Sequence, residues 1–223
     1  MGTKTKFNMK GITLIELLVV LVISGIVVAG IYRVFVAQTK AYTVQDQVVE
    51  VQQNVRSTME ILLRDLRMAG YDDDNVNSPI TIANPIVYPV AQDSVLVNYE
   101  YYNTTPIPAQ YEVHTVHYWL NAGTSQLIRQ RTINGVAGPQ DIILENVAGL
   151  NFRYGVDTDE DGAIDNWIDA GAVGTSKVIA IHVLLNARPD QTNPDVQKMV
   201  TPRTLESTVT LRNLCLIRKE LAL

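Results

Sequence analysis

The stretch that decides the fold is Ile12–Ile31, ITLIELLVVLVISGIVVAGI, the longest apolar run in this chain of 223 residues. Its only strongly polar side chain is Glu16, while Thr13 and Ser24 are mildly polar. Twenty helical residues extend about 30 Å, the thickness of the hydrocarbon core of a bilayer. The run therefore predicts a membrane-spanning helix. Glu16 requires an explanation, because an ionisable group in hydrocarbon is costly and usually marks a function.

The residues before this run give it an orientation. Lys4, Lys6 and Lys10 precede it and no acid does, so the positive-inside rule predicts a cytoplasmic N-terminus and an exported remainder. Without residues 1–11 the formal charge changes from -5 to -8, because three lysines and no acids are lost. This acidic balance argues against nucleic acid as a partner.

Three interpretations of residues 1–31 compete. A cleaved secretory signal has an apolar core of about 7–15 residues, which is shorter than this one, although Phe35-Val36-Ala37 could pass as a weak cleavage site. A plain signal anchor fits the length and gives no reason for Glu16. The third interpretation rests on residues 10–17, KGITLIEL, which resemble the processing site of type IV prepilins.

This resemblance implies a specific maturation. In type IV pilins a prepilin peptidase cleaves after the glycine and methylates the new N-terminus, which here implies a cut between Gly11 and Ile12. Glu16 would then lie four residues from the new terminus, on the same helical face. In the family this glutamate pairs with the terminal amine of a neighbouring subunit, which would offset much of the cost of burying the two charges. Ile12 stands where the family usually has phenylalanine.

The helix is predicted to continue beyond the membrane, because no proline occurs before Pro79. An apolar stripe at helical spacing follows, formed by Val48, Val51, Val55, Met59, Leu62, Leu66 and Ala69. Gly70 offers a C-terminal cap. We predict one helix over residues 12–69. Residues 12–37 would be its transmembrane or filament-core half, and residues 38–70 an amphipathic half that packs on a globular domain.

Residues 71–223 are predicted to form that globular domain. Tyr71–Asp93 is rich in acids, asparagine and proline and is expected to be a solvated loop. Its Asp72-Asp73-Asp74 triplet is more typical of an exposed segment than of a metal site. Short β-type runs follow: Val95–Tyr102, Glu112–Leu120, Gln126–Ile133, Ile142–Leu144, Leu150–Val156, Val178–Asn186 and Leu205–Leu214. This pattern predicts an α+β fold, a long N-terminal helix packed on an antiparallel β-sheet domain.

The single cysteine, Cys215, excludes an intramolecular disulfide. It alternates with Val209, Leu211 and Ile217 in a strand-like stretch. We therefore expect a buried thiol that acts as a small hydrophobic side chain.

Three further stretches resemble PilW-type minor pilins: Arg64–Tyr71, Phe152–Asp157 and Thr208–Asn213. The resemblance implies a minor pilin that helps to initiate or cap a type IV pilus. Its partners would be other pilins and minor pilins, the prepilin peptidase and the inner-membrane assembly platform. It would cross the bacterial inner membrane once, with a periplasmic C-terminal domain, and then reach the pilus and cell surface. Two alternatives stay open: a pseudopilin of type II secretion, and a calcium-stabilised adhesion subunit at the pilus tip.

The second informative stretch is residues 157–165, DTDEDGAID. Acids stand at its first, third, fifth and ninth positions: Asp157, Asp159, Asp161 and Asp165. They can converge on one hard cation, with Gly162 allowing the sharp turn and the Ala163 carbonyl supplying another ligand. The twelfth position is Ile168 rather than glutamate, so the loop is not a complete EF-hand. We expect a structural calcium ion here, and an exposed acidic turn is the alternative.

No catalytic constellation is apparent, and we expect no enzyme. His114 and His117 are three residues apart in a predicted strand, so their side chains point to opposite faces. His182 lies in an apolar run and is expected to be packed or half exposed. Nucleophile motifs, phosphate loops and zinc spacings do not occur in the sequence. Aromatic residues of the predicted strands, including Trp119 and Trp167, favour cross-strand packing, with a ligand-binding face as the alternative.

Overall fold

The computed structural model describes residues 11–72, 82–89, 92–105, 108–174, 177–189, 192 and 194–216. The chain divides into two compact units, Met1–Gln45 and Asp46–Leu223. The three lysines of the N-terminal segment, Lys4, Lys6 and Lys10, lie outside the described residues.

Helix α1 (Leu14–Arg67) begins in the first unit and ends in the second. In the first unit its large apolar side chains are exposed, from Leu14 to Phe35. It contains an 18-residue window of mean hydropathy 2.8 with none of its residues buried, so by length and composition it is a candidate membrane span. The Ser24 hydroxyl donates to the Leu21 carbonyl at 3.0 Å, which satisfies this polar group within the helix.

In the second unit α1 buries one face. Its apolar stripe is buried as the sequence predicted, at Val51, Val55, Met59, Leu62, Leu66 and Ala69, while Val48 is half-buried. The helix ends at Arg67, two residues before the predicted end, and a turn follows it.

Gly70 closes that turn and must be glycine for two reasons. Its φ is +66°, the left-handed region in which a Cβ is unfavourable. A Cβ there would also lie 2.7 Å from Leu214 Cδ2 and 3.2 Å from Pro85 Cβ. The glycine thus has the positive φ of a cap, but its N–H donates to the Asn98 carbonyl at 2.9 Å and not to the helix, and a packing constraint accompanies it.

The described residues contain nine strands in two antiparallel sheets. The first sheet has the order β1-β2-β3-β4-β5; its strands are β1 (Ile86–Val87), β2 (Ser94–Asn103), β3 (Gln110–Asn121), β4 (Gln126–Ile133) and β5 (Val136–Leu144). The second sheet has the order β7-β6-β8-β9; its strands are β6 (Val147–Asp157), β7 (Asn166–Asp169), β8 (Lys177–Ala187) and β9 (Arg203–Thr210). Short helices α2 (Pro194–Met199) and α3 (Arg212–Leu216) flank β9.

One hydrophobic core joins both sheets to the second half of α1. Tyr118, Phe152 and Tyr154 are among its largest fully buried side chains. The predicted α+β fold, a long helix with antiparallel β-sheet, is confirmed. The sequence predicted only the end of β5, because Gly138 and Pro139 interrupt the pattern of this edge strand.

Three parts of the domain differ from the predicted elements. The segment before Asp93, which was predicted to be a loop, contains the short strand β1. Asp73 and Asp74 of its acidic triplet lie outside the described residues. Strand β7 was not predicted. The predicted strand Leu205–Leu214 is wrong at its end, because β9 stops at Thr210 and α3 begins at Arg212.

The end of β9 has a physical reason. The Asn213 side chain donates to the carbonyls of Arg67 and Ala69, at 3.2 Å each, and so satisfies groups that the end of α1 leaves open. Leu211 is fully buried and Leu214 packs against the core, a spacing of three that suits a helix. Cys215 therefore lies in α3 rather than in a strand.

Candidate functional site

The N-terminal site consists of Gly11, Ile12, Thr13 and Glu16, all in the first unit. Helix α1 begins directly after Thr13, whose hydroxyl accepts the backbone N–H of Glu16 at 3.3 Å. Thr13 is thus the N-cap and Glu16 the third helical residue, the spacing of a capping box. The carboxylate also lies at the positive end of the helix dipole. These local contacts fix where the helix starts relative to Glu16.

Gly11 is not required by the fold of the chain. A Cβ at this position would have no atom of a described residue within 4 Å, and its backbone is not in the positive-φ region. Ile12 is exposed as well. Packing and backbone conformation therefore do not explain the glycine.

The carboxylate of Asp65 fixes the end of α1 to the first sheet. Tyr118 Oη donates to Asp65 Oδ2 at 2.6 Å, and Arg129 Nε donates to the same oxygen at 2.8 Å. Burial raises the pKa of Tyr118, and the charge of Asp65 and the hydrogen bond to it add to this effect, so the phenol stays a donor. Burial opposes the charge on Arg129, but the hydrogen bond to Asp65 and the neighbouring Tyr118 raise the pKa of Arg129 overall.

The acidic loop connects β6 to β7, and its predicted turn is confirmed. Gly162 has a φ of +88° and Glu160 one of +66°. Asp157 is buried, and its two carboxylate oxygens accept the backbone N–H groups of Glu160 at 2.6 Å and Gly162 at 3.1 Å. These bonds fold the loop around Asp157.

Three of the four predicted carboxylates come together. Ligand oxygens of Asp157, Asp159 and Asp165 all lie within 4.8 Å of one another, a spacing compatible with oxygens at 2.3–2.6 Å from one calcium ion. Asp161 is not in this group. Its Oδ1 accepts the Ala163 N–H at 2.7 Å, so this carboxylate bonds to the backbone of the loop instead. The Ala163 carbonyl stays a predicted ligand.

Asp165 is held ionised by its neighbours. The Thr158 hydroxyl and backbone N–H both donate to Asp165 Oδ2, at 2.5 and 2.7 Å. These bonds hold the pKa of Asp165 below its usual value. A metal ligand must be deprotonated, and these bonds favour that state of Asp165.

The three histidines have separate partners. His114 is buried beside Glu112, with Nε2 3.0 Å from Oε2, and His117 Nε2 lies 2.9 Å from Ser94 Oγ. His182 Nδ1 lies 3.1 Å from Thr208 Oγ1 on the second sheet. Hence His114 and His117 do not share a site, as the strand geometry predicted.

Comparison with known proteins gives two family matches. Residues 6–32 match the family model described as the prokaryotic N-terminal methylation motif, and residues 111–218 match the model described as type IV pilus-assembly protein W. No curated protein matches the chain in sequence.

The fold is similar to a solved structure, a type IV-like pilin from Thermus thermophilus. The two chains are 15% identical and superpose with a TM-score of 0.50, covering 73% of this chain and 97% of the other. At this identity the likeness concerns the fold. The two family matches support a type IV pilin-like protein of the PilW type with a prepilin N-terminal signal, and the observed fold agrees with that of a pilin.

Asp65 was missed by the sequence analysis, although a signal for it exists. It lies three residues after Leu62 and one before Leu66, inside the buried stripe of α1. An acid at such a position needs a partner. Tyr118 and Arg129, however, lie 53 and 64 residues away, and their pairing with Asp65 becomes visible only in the folded sheet.

Proposed function

We propose that the chain is a minor pilin that helps to initiate or cap a type IV pilus. The observation that carries the proposal is Glu16, an ionisable side chain in the first turn of an exposed apolar helix, five residues after a glycine that the fold does not need. A helix that is apolar all round must be buried in lipid or among other helices. Cleavage after Gly11 would place a new amine close to Glu16 and make the helix ready for such packing.

The proposed topology follows from the same segment. Residues 1–11 are a leader removed by a prepilin peptidase, and residues 12–37 cross the inner membrane with the N-terminus in the cytoplasm. Residues 38–70 are the amphipathic half of the helix, and residues 71–223 form a periplasmic domain. After extraction by the assembly platform, the helix would pack against other pilins and minor pilins.

A deletion strain tests the role. We expect loss of most surface pili, restored by the wild-type gene on a plasmid and counted by electron microscopy of sheared filaments. Normal pili with a block in protein export would instead identify a pseudopilin of type II secretion. Normal pili with lost adhesion would identify a tip subunit that is dispensable for assembly.

We also propose that the acidic loop binds one calcium ion through Asp157, Asp159 and Asp165, with the Ala163 carbonyl as a further ligand. The support is the convergence of three carboxylates on a turn shaped by Gly162. Each carboxylate oxygen has about two acceptor positions, so each Asp157 oxygen, which accepts one backbone N–H, keeps a position for a cation. The ion would fix the connection from β6 to β7.

Calcium titration of the full chain in detergent tests this site. At calcium 100-fold above the dissociation constant, we expect about 2.7 kcal/mol of stabilisation, which raises the unfolding midpoint by about 5–10 °C. Asp159→Ala should remove this shift, because it deletes a ligand. Glu145→Ala, a change at an exposed acid outside the loop, should retain it. An unshifted midpoint and no heat at millimolar calcium would refute the site.

A further inference from the structure

The outer face of the second sheet carries a row of polar side chains in register across all four strands. Asp169 of β7 pairs with Arg153 of β6, Arg153 with His182 of β8, and His182 with Thr208 of β9. Successive residues of a strand alternate between faces, so these cross-strand partners share one face. This face lies opposite the hydrophobic core, because the neighbouring Phe152 and Ile181 are core residues.

Trp167 stands beside this row. It pairs with Gly155, and the ring atom Cη2 of Trp167 lies 3.2 Å from where a Gly155 Cβ would be, as do Ala180 Cβ and Ile164 Cγ2. The indole thus rests in a gap left by the two small residues Gly155 and Ala180. Its ring centroid is 5.8 Å from that of His182, in an edge-on arrangement.

Arg153, Trp167, His182 and Thr208 enclose a shallow hollow of about 190 Å³. This is smaller than the roughly 300–1,000 Å³ pockets that hold drug-sized ligands, so one small ring is the largest group it can surround. An indole offers an apolar face together with an N–H donor.

The charges around the hollow argue against an anionic ligand. Arg153 Nη2 donates to the Trp167 carbonyl at 2.9 Å, and its Nε is 3.5 Å from Asp169 Oδ1. On the other side His182 Nε2 is 3.8 Å from Glu206 Oε2, too far for a direct hydrogen bond and suited to a bridging hydroxyl. Since Asp169 offsets the charge of Arg153 and Glu206 adds a second carboxylate, the hollow disfavours an anion.

We propose that this hollow binds one ring of a neutral saccharide. The ring would stack one C–H face on the Trp167 indole, while its hydroxyls hydrogen-bond to Glu206, His182 and Arg153. The exposed carboxylate of Glu206 and the guanidinium of Arg153 supply an acceptor and donors on opposite sides of the hollow. This binding goes beyond the proposed role in assembly and does not depend on it.

The test is saturation-transfer NMR on the full chain in a detergent without a sugar headgroup. The probes are the methyl glycosides of glucose, galactose, mannose and N-acetylglucosamine at millimolar concentration, with methyl sialoside as the anionic probe. We expect transfer to at least one neutral glycoside. Trp167→Ala should weaken binding at least tenfold. Trp119→Ala, which removes the tryptophan of the first sheet, should leave binding unchanged.

A second variant separates binding from folding. Glu206→Ala changes an exposed side chain and should weaken binding several-fold, with an unchanged unfolding midpoint. Absence of transfer to every neutral glycoside, transfer to the sialoside alone, or wild-type binding by Trp167→Ala and Glu206→Ala would each overturn the proposal. Both variants should still assemble into pili, so a failure here is distinguishable from a failure of the minor-pilin role.

Discussion

Replacing Asp65 with alanine is expected to lower the free energy of unfolding by about 3–5 kcal/mol, the usual result of removing one partner of a buried ion pair. The Asp65 side chain is 9% exposed and that of Arg129 17%. Without the carboxylate, Arg129 keeps a largely buried charge and Tyr118 loses its acceptor. Since whole domains are stable by about 5–15 kcal/mol, the variant would lose a large fraction of its stability.

The chain offers a matched control for this experiment. Asp141 contacts the same arginine, with Oδ2 3.9 Å from Arg129 Nη1, but its side chain is 56% exposed. Asp141→Ala should cost at most about 1 kcal/mol, because exposed pairs contribute little. Both variants can be measured by urea unfolding followed by tryptophan fluorescence. Similar losses for Asp65→Ala and Asp141→Ala would contradict the buried role of Asp65.

Replacing Glu16 with glutamine is expected to reduce incorporation into pili about 100-fold. The proposed partner is the N-terminal amine of a neighbouring subunit, and leaving this amine unpaired in an apolar environment costs at least about 3 kcal/mol. Each 1.4 kcal/mol corresponds to about a factor of ten. The measurement is the amount of the chain in sheared filaments relative to the amount in the membrane.

Glutamine is the informative substitution because of the geometry at Thr13. The bond to the Thr13 hydroxyl uses the backbone N–H of residue 16, which glutamine also has, so Glu16→Gln retains the helix start and removes only the charge. Glu60→Gln makes the same chemical change at an exposed position of the same helix and should incorporate normally. If Glu16→Gln also incorporates normally, the charge-pairing account is wrong.

The features predicted well from the sequence are those with local causes. The apolar run and the stripe from Val51 to Leu66 define α1 by their spacing alone, and Gly70 and Gly162 mark turns that require positive φ. The features that were missed depend on residues far apart in the chain. The last strand ends early because the Asn213 side chain bonds to carbonyls at the end of α1, about 145 positions earlier in the chain.

The acidic loop was predicted only in part. Its turn was predicted from Gly162, because turn chemistry is local. Which carboxylates converge could not be predicted, because it depends on which backbone N–H groups each side chain accepts. Asp161 accepts the Ala163 N–H and stays apart, whereas Asp165 is brought to Asp157 and Asp159 by its bonds to Thr158.

Mass spectrometry of the N-terminal peptide, from chain purified out of sheared pili and membranes of the native host, tests the central claim most directly. The account predicts a chain that begins at Ile12 and carries one methyl group on its terminal amine. A chain that retains residues 1–11, or that begins unmethylated at another residue such as one after Ala37, would contradict it.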